Sequence, residues 1–198
     1  MPIIYNNMMK NAFRFLIILF ISISSTSLLP AIYLIKSSYS VISISGYFSQ
    51  YEFYINIAIY LLLTIILAYI SLLFIKCQAL DSITNDVQEI SPVNNEYLPI
   101  YLGYIFVSLS IPTPSPGEID LPSLIIIYIL ICLFVSLSKS LCFNPIFIIF
   151  GYSYYIVKTQ RNIKVFVISK KEIQKNDSHI TFPHLTKINE TVYFDKDL

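Results

Sequence analysis

Asn144-Pro145-Ile146-Phe147-Ile148-Ile149-Phe150-Gly151-Tyr152-Ser153-Tyr154-Tyr155-Ile156-Val157 separates two kinds of chain. Upstream lie apolar runs long enough for a bilayer, and downstream lies a polar tail holding most of the positive charge. Pro145 breaks a helix, Gly151 relaxes the exit, and Tyr152, Tyr154 and Tyr155 favour the headgroup level. The stretch is therefore expected to be an interfacial elbow, and any signal passing between lipid and water would cross it.

The 198 residues are 56% hydrophobic and only 13% charged, with a mean hydropathy of +0.68. Such a chain cannot cover a soluble core with polar surface, which points to a membrane protein. The net charge of +1 hides an asymmetry, because basic residues gather in the amino-terminal arm and the carboxy-terminal tail. That is a topology signal rather than a nucleic-acid signature. Cys77, Cys132 and Cys142 fall at or within apolar stretches and read as free thiols, not a disulfide framework.

Working outward, residues 1–12 form a cytoplasmic arm and residues 13–150 a transmembrane domain. Its first span, 13–35, has a centre of Ser22, Ser24, Ser25, Thr26 and Ser27 that suits packing against other helices, and Pro30 should kink its outer end. A cleaved signal peptide is the rival reading, opposed by apolar character that resumes at Leu28 and continues to Ile35. Residues 36–53 are placed outside. The clearest span is 54–75, closed by Lys76, and the loop after it is acidic through Asp81, Asp86, Glu89 and Glu96. Part of that loop, Leu80 to Val87, reads as a short amphipathic helix.

A shorter span, 98–112, leads into the stiff turn Pro112-Thr113-Pro114-Ser115-Pro116-Gly117, and a fourth span covers 121–139. One helix over 121–150 would be roughly 45 Å long, too long for a hydrocarbon core of about 30 Å. The helix should thus end near Lys139, whose ammonium snorkels to the inner headgroups, lines a pore or binds lipid phosphate, with the elbow at 140–150. Of the Lys and Arg residues only Lys36 then lies outside.

Residues 151–198 form a cytoplasmic tail with β-prone runs at Tyr154 to Lys158 and Ile163 to Ile168, turned by Gln160-Arg161-Asn162. Further β-prone pieces are Ile180 to Phe182 and Thr191 to Phe194. About 45 residues seldom support a core alone, so the tail should need neighbouring subunits, the acidic loop or another protein. The fold class expected is an all-α integral membrane protein, with four transmembrane helices and a small β-rich cytoplasmic appendage. Candidate contacts to a partner or lipid are Lys139, Pro145, Tyr154, Tyr155, Lys158, Arg161, Lys164, Lys170 and Lys171.

Chemistry is sparse. His179 and His184 lack the spacing and carboxylates of a metal site, the four glycines form no phosphate loop, and the spans contain no Asp or Glu. No catalytic residue, cofactor or metal is expected, and no enzyme.

The layout of four spans, both ends inside, a proline-punctuated third loop and Asn144-Pro145 leading through Phe150-Gly151-Tyr152 into a basic tail resembles KwaA, the membrane component of the Kiwa bacterial anti-phage defence system. The resemblance covers most of the chain in layout and carries over no site residue. It implies a non-enzymatic protein of the bacterial inner membrane that forms homo-oligomers and responds to phage at the envelope. It also implies a cytoplasmic DNA-binding effector, KwaB-like, as partner, with membrane lipids around the spans and no direct nucleic-acid binding. A stand-alone immunity or superinfection-exclusion protein and a small oligomeric ion channel are the alternatives.

Overall fold

Long apolar runs give helix α1 (Phe15–Lys36) and helix α2 (Glu52–Lys76), the latter entered through a 3-10 turn at Ser49–Tyr51. At 1.5 Å per residue they extend about 33 and 37 Å, enough to cross a bilayer. The computed structural model that shows them describes residues 15–43, 45, 49–77, 87–93, 98–137, 143–159, 163–173, 182, 184–189 and 191–196. Pro30 cannot donate to the helical ladder, and α1 is loosened at Ser27, the expected disturbance displaced three residues upstream. Helices α3 (Leu98–Ser110) and α4 (Leu121–Leu137) follow in the chain, and each packs against the outer half of α1. A five-residue helix, α5 (Pro145–Ile149), leads into the sheet.

The expected all-α protein with four transmembrane helices is overturned. Among the described residues only α1 and α2 reach crossing length. The spans expected at 98–112 and 121–139 are helices of 13 and 17 residues, about 20 and 26 Å. Hydropathy registers apolar content, and helices packed into a layer can be as apolar as helices that cross it.

The second correction is a five-stranded sheet among the described residues, ordered β1-β2-β3-β5-β4. Its strands are β1 (Val87–Pro92), β2 (Ser153–Thr159), β3 (Lys164–Ser169), β4 (Leu185–Lys187) and β5 (Val192–Asp195). The hairpin read from sequence is present, with Tyr154 opposite Ile168 and Lys158 opposite Lys164. The edge strand β1 comes from the acidic loop and pairs antiparallel with β2, Ile90 facing Val157. It carries a bulge between Val87 and Glu89 and ends at Pro92, both devices that blunt a sheet edge. The loop thus supplies support that the small tail was expected to need. The proposed helix over Leu80 to Val87 lies outside the described residues, except that Val87 begins β1. β3 and β5 run parallel, Ile168 beside Phe194.

Strand alternation gives the sheet two apolar faces. One carries Tyr154, Ile168, Val192 and Phe194 and packs on Ile17 and Ile21 of α1, Ala68, Leu72 and Ile75 of α2, and Phe147 of α5. The other gathers Ile90, Tyr155, Val157, Val165, Val167 and Tyr193 under Ile173 and Phe182. Residues on both sides of position 150 therefore share one core.

Polarity within the helical layer is inverted relative to a soluble protein. The buried stripe of α2 includes Asn56, Thr64 and Ser71, while Leu62 is 59% exposed, with Leu61, Leu63, Ile65, Ile66, Leu73 and Phe74 also outward. Ser22, Ser24, Ser25, Thr26 and Ser27 of α1 are all buried, in agreement with the packing role read from their size. Their hydroxyls bond largely within the helix, Ser22 to the Ile18 carbonyl at 2.8 Å and Ser27 to that of Ser24 at 2.7 Å. On α4 the outward residues are again apolar, Phe134 being 70% exposed.

At the end of the layer away from the sheet, Tyr33 and Lys36 tie α1 to the α3–α4 turn. The Tyr33 hydroxyl donates to the Pro112 carbonyl at 3.0 Å and accepts from the Asp120 amide at 2.7 Å. Lys36 Nζ donates to the carbonyls of Leu109 and Ile111 at 2.6 and 2.8 Å, a cation closing a helix C-terminus. Asp120 caps α4 by accepting from the Ser123 amide; hydrogen bonds from Ser123 hold its carboxyl below the usual carboxylate range.

Candidate functional site at the elbow

The elbow is where the helical layer and the sheet meet. Asn144 caps α5, its Oδ1 accepting from the Ile146 amide at 3.0 Å, and Pro145 takes the first helical position, where a missing N–H costs nothing. α5 ends in a glycine stop. The Gly151 amide donates to the Ile148 carbonyl and the Tyr152 amide to that of Phe147, both at 2.9 Å, with Gly151 at φ +81°. A side chain at that φ would strain the backbone, so the turn into β2 depends on glycine.

Asn144 is completely buried. Since its Oδ1 accepts from backbone, its Nδ2 is the donor, and it reaches Ser24 Oγ on α1 at 2.8 Å. Ser71 of α2 approaches the same Ser24 oxygen at 3.4 Å, a long contact, while bonding the Ala68 carbonyl at 2.8 Å. The Asn144 amide donates to the Tyr154 hydroxyl of β2 at 3.0 Å, and that hydroxyl donates to the Asn144 carbonyl at 2.9 Å. From α3, the Tyr101 hydroxyl donates to the Phe143 carbonyl at 2.8 Å. The rings of Tyr69 and Phe150 add an edge contact between α2 and the elbow, with centroids 6.2 Å apart. α1, α2, α3 and β2 thus converge on residues 143–150, so displacement of a helix must move β2 or break one of these bonds.

The sequence-derived candidates separate into distinct places. Pro145 is half-buried in α5. Tyr154 and Tyr155 are 4% and 3% exposed, and Tyr152 is 3%, so the tyrosines expected at headgroup level are core residues. The Tyr155 hydroxyl donates to the Lys171 carbonyl at 2.7 Å and accepts from the Ile173 amide at 3.3 Å. Lys171 Nζ stands 3.7 Å from the buried Asp195. Lys170 is exposed, its Nζ 5.0 Å above the Tyr152 ring. Burial raises the Tyr152 pKa and the Lys170 ammonium opposes that rise. Lys158 and Lys164 face each other across β2 and β3, with Glu89 opposite Lys158 on its other side. Lys139 and Arg161 lie outside the described residues, as does His179. The roles of Asn144 and Ser24 escaped the sequence reading, although the pair Asn144-Pro145 is the signature of a capped helix start.

The family model of the anti-phage protein KwaA matches residues 12–194. The chain belongs to the KwaA family. Searches of curated proteins and of solved structures found no match. KwaA membership gives the chain a role in anti-phage defence, and with the two crossing-length helices it points to membrane association.

Proposed function

We propose that this KwaA chain is a membrane-anchored sensor and scaffold that converts envelope perturbation by phage into a change in its sheet. The observation that carries this reading is the inverted polarity of the helical layer: hydroxyls and Asn56 face inward while Leu62 and its neighbours face out. Such an arrangement suits lipid as solvent. α1 and α2 cross the bacterial inner membrane, making the chain multi-pass, with the sheet and both termini in the cytoplasm. Lys76 at the sheet end of α2 follows the positive-inside preference. The Ser-rich stripe of α1 is consumed by packing, which argues against a pore along it within one chain.

The sheet would receive a cytoplasmic DNA-binding effector without catalysing a reaction, and subunits would associate through the outward face of α4, where Phe134 is 70% exposed. Lys158 stands directly opposite Lys164, a like-charge pair that Glu89 on β1 offsets in part, and the remaining positive charge suits an acidic partner surface. Combined charge reversal, Lys158→Glu with Lys164→Glu, is expected to abolish phage protection and effector co-purification while membrane levels stay normal. Undiminished protection would sink the docking role.

A further inference from the structure

Helix α5 leaves a conspicuous apolar patch. Ile149 is 75% exposed and Ile148 41%, although the helix is firmly ended on both sides by Asn144 and Gly151. The patch adjoins the outward face of α2, since Phe150, the residue after Ile149, touches Tyr69, which is itself 55% exposed. α5 stands at the level of Ser24 and Tyr69, about 10 Å from Lys76 along α2. It is therefore near the depth at which the apolar belt gives way to charge. The strand ends at this side of the sheet supply that charge. β2 leaves α5 at Ser153, which pairs with Ser169, and Lys170 follows immediately and stands over the Tyr152 ring. The Tyr152 ring in turn packs on Phe147 of α5, with centroids 6.3 Å apart. Lys158 and Lys164 sit at the opposite ends of the same strands.

We propose that α5 and Lys170 form a lipid-docking surface for the anionic inner leaflet. Ile148 and Ile149 enter the boundary between headgroups and acyl chains, about 5–10 Å deep, and the Lys170 ammonium meets lipid phosphate. Continuity with the apolar belt of α2 through Phe150 and Tyr69, with Lys170 at the same end of the sheet, selects a bilayer as occupant over a protein partner. The inference rests on the membrane-anchored reading. It adds that the elbow is held by the leaflet, so a change in leaflet packing or charge at a site of phage attack would act directly on Asn144 and β2.

The chain contains no tryptophan, so Ile149→Trp introduces a single reporter at an exposed position. The full chain is placed in nanodiscs with brominated lipids, and Leu62→Trp on α2 serves as the membrane control. I149W emission should be blue-shifted and quenched by lipid brominated near the headgroup, and L62W quenched by lipid brominated deep in the chain. Brominated phosphatidylglycerol should quench I149W about five-fold more effectively per mole than brominated phosphatidylcholine, an advantage removed by Lys170→Glu. Unquenched I149W beside quenched L62W would overturn the lipid-docking surface and leave the membrane reading standing. If neither is quenched, both fall. Equal quenching by the two lipids would overturn the role of Lys170.

Discussion

Asn144→Ala is expected to destabilise the protein by about 2–4 kcal/mol, combining loss of a helix cap with loss of a buried donor. Its effect should exceed that of any single lysine substitution. Asn144 is completely buried and holds α5 through the Ile146 amide and α1 through Ser24. Truncation to alanine leaves the Ile146 amide uncapped and opens a cavity at the point where four elements meet. Hydrogen exchange should read the consequence: amides from Ser153 to Val157 in β2 exchange faster, while those in the middle of α2 do not. Ser24→Ala removes one bond to the node and should cost about 1 kcal/mol. The double substitution should be less damaging than the sum, because both remove the same bond. Strict additivity would mean that the Ser24 contact carries no coupling.

Phe194→Ala should cost about 3–5 kcal/mol, the range for a fully buried aromatic. Phe194 is 0% exposed and sits in the core shared by sheet and helices, its ring 5.2 Å from that of Tyr152. Thermal unfolding in nanodiscs should fall by about 10 °C for a chain of this size. Limited proteolysis should open the carboxy-terminal strands before the helices, because the lost packing is at the sheet. Ile163→Ala provides the contrast, since Ile163 is 55% exposed and directly precedes β3. Equal loss of stability in the two variants would show that the sheet does not depend on its helix-facing core.

Local chemistry explains which features could be read from the chain alone. The small hydroxyl residues from Ser22 to Ser27 announce a packed helix by size, and all five are buried. Tyr154 to Lys158 and Ile163 to Ile168 announce a hairpin by β-propensity around a turn, and β2 and β3 pair across it. β1 escaped because its charge and position within an acidic loop masked its strand character; it becomes a strand only where β2 lies beside it. The parallel pairing of β3 with β5 is likewise a long-range arrangement with no local mark. Crossing and non-crossing helices carry the same apolar composition, so α4 looked like a span until its 17 residues could be counted. At the elbow, the exit at Gly151 was legible from residue type, whereas Pro145, read as breaking a helix, instead opens α5 at its first position. The tyrosines were misplaced because an aromatic that suits a headgroup layer also suits a core where its hydroxyl is bonded, as those of Tyr154 and Tyr155 are. The contact of Asn144 with Ser24 spans 120 positions, a distance over which no periodic signal reaches.

The central claim, a helical layer in the bilayer with the sheet on its cytoplasmic side, is tested most directly by cysteine labelling in intact spheroplasts. Val41 is exposed in the connection between α1 and α2, and Cys77 is exposed at the sheet end of α2. Each site is displayed as the sole cysteine, with Cys132 and Cys142 replaced by serine and Cys77 also replaced when Val41→Cys is tested. A membrane-impermeant maleimide should label Val41→Cys before lysis and Cys77 only after it; labelling of both sites from outside, or of neither, would contradict the account.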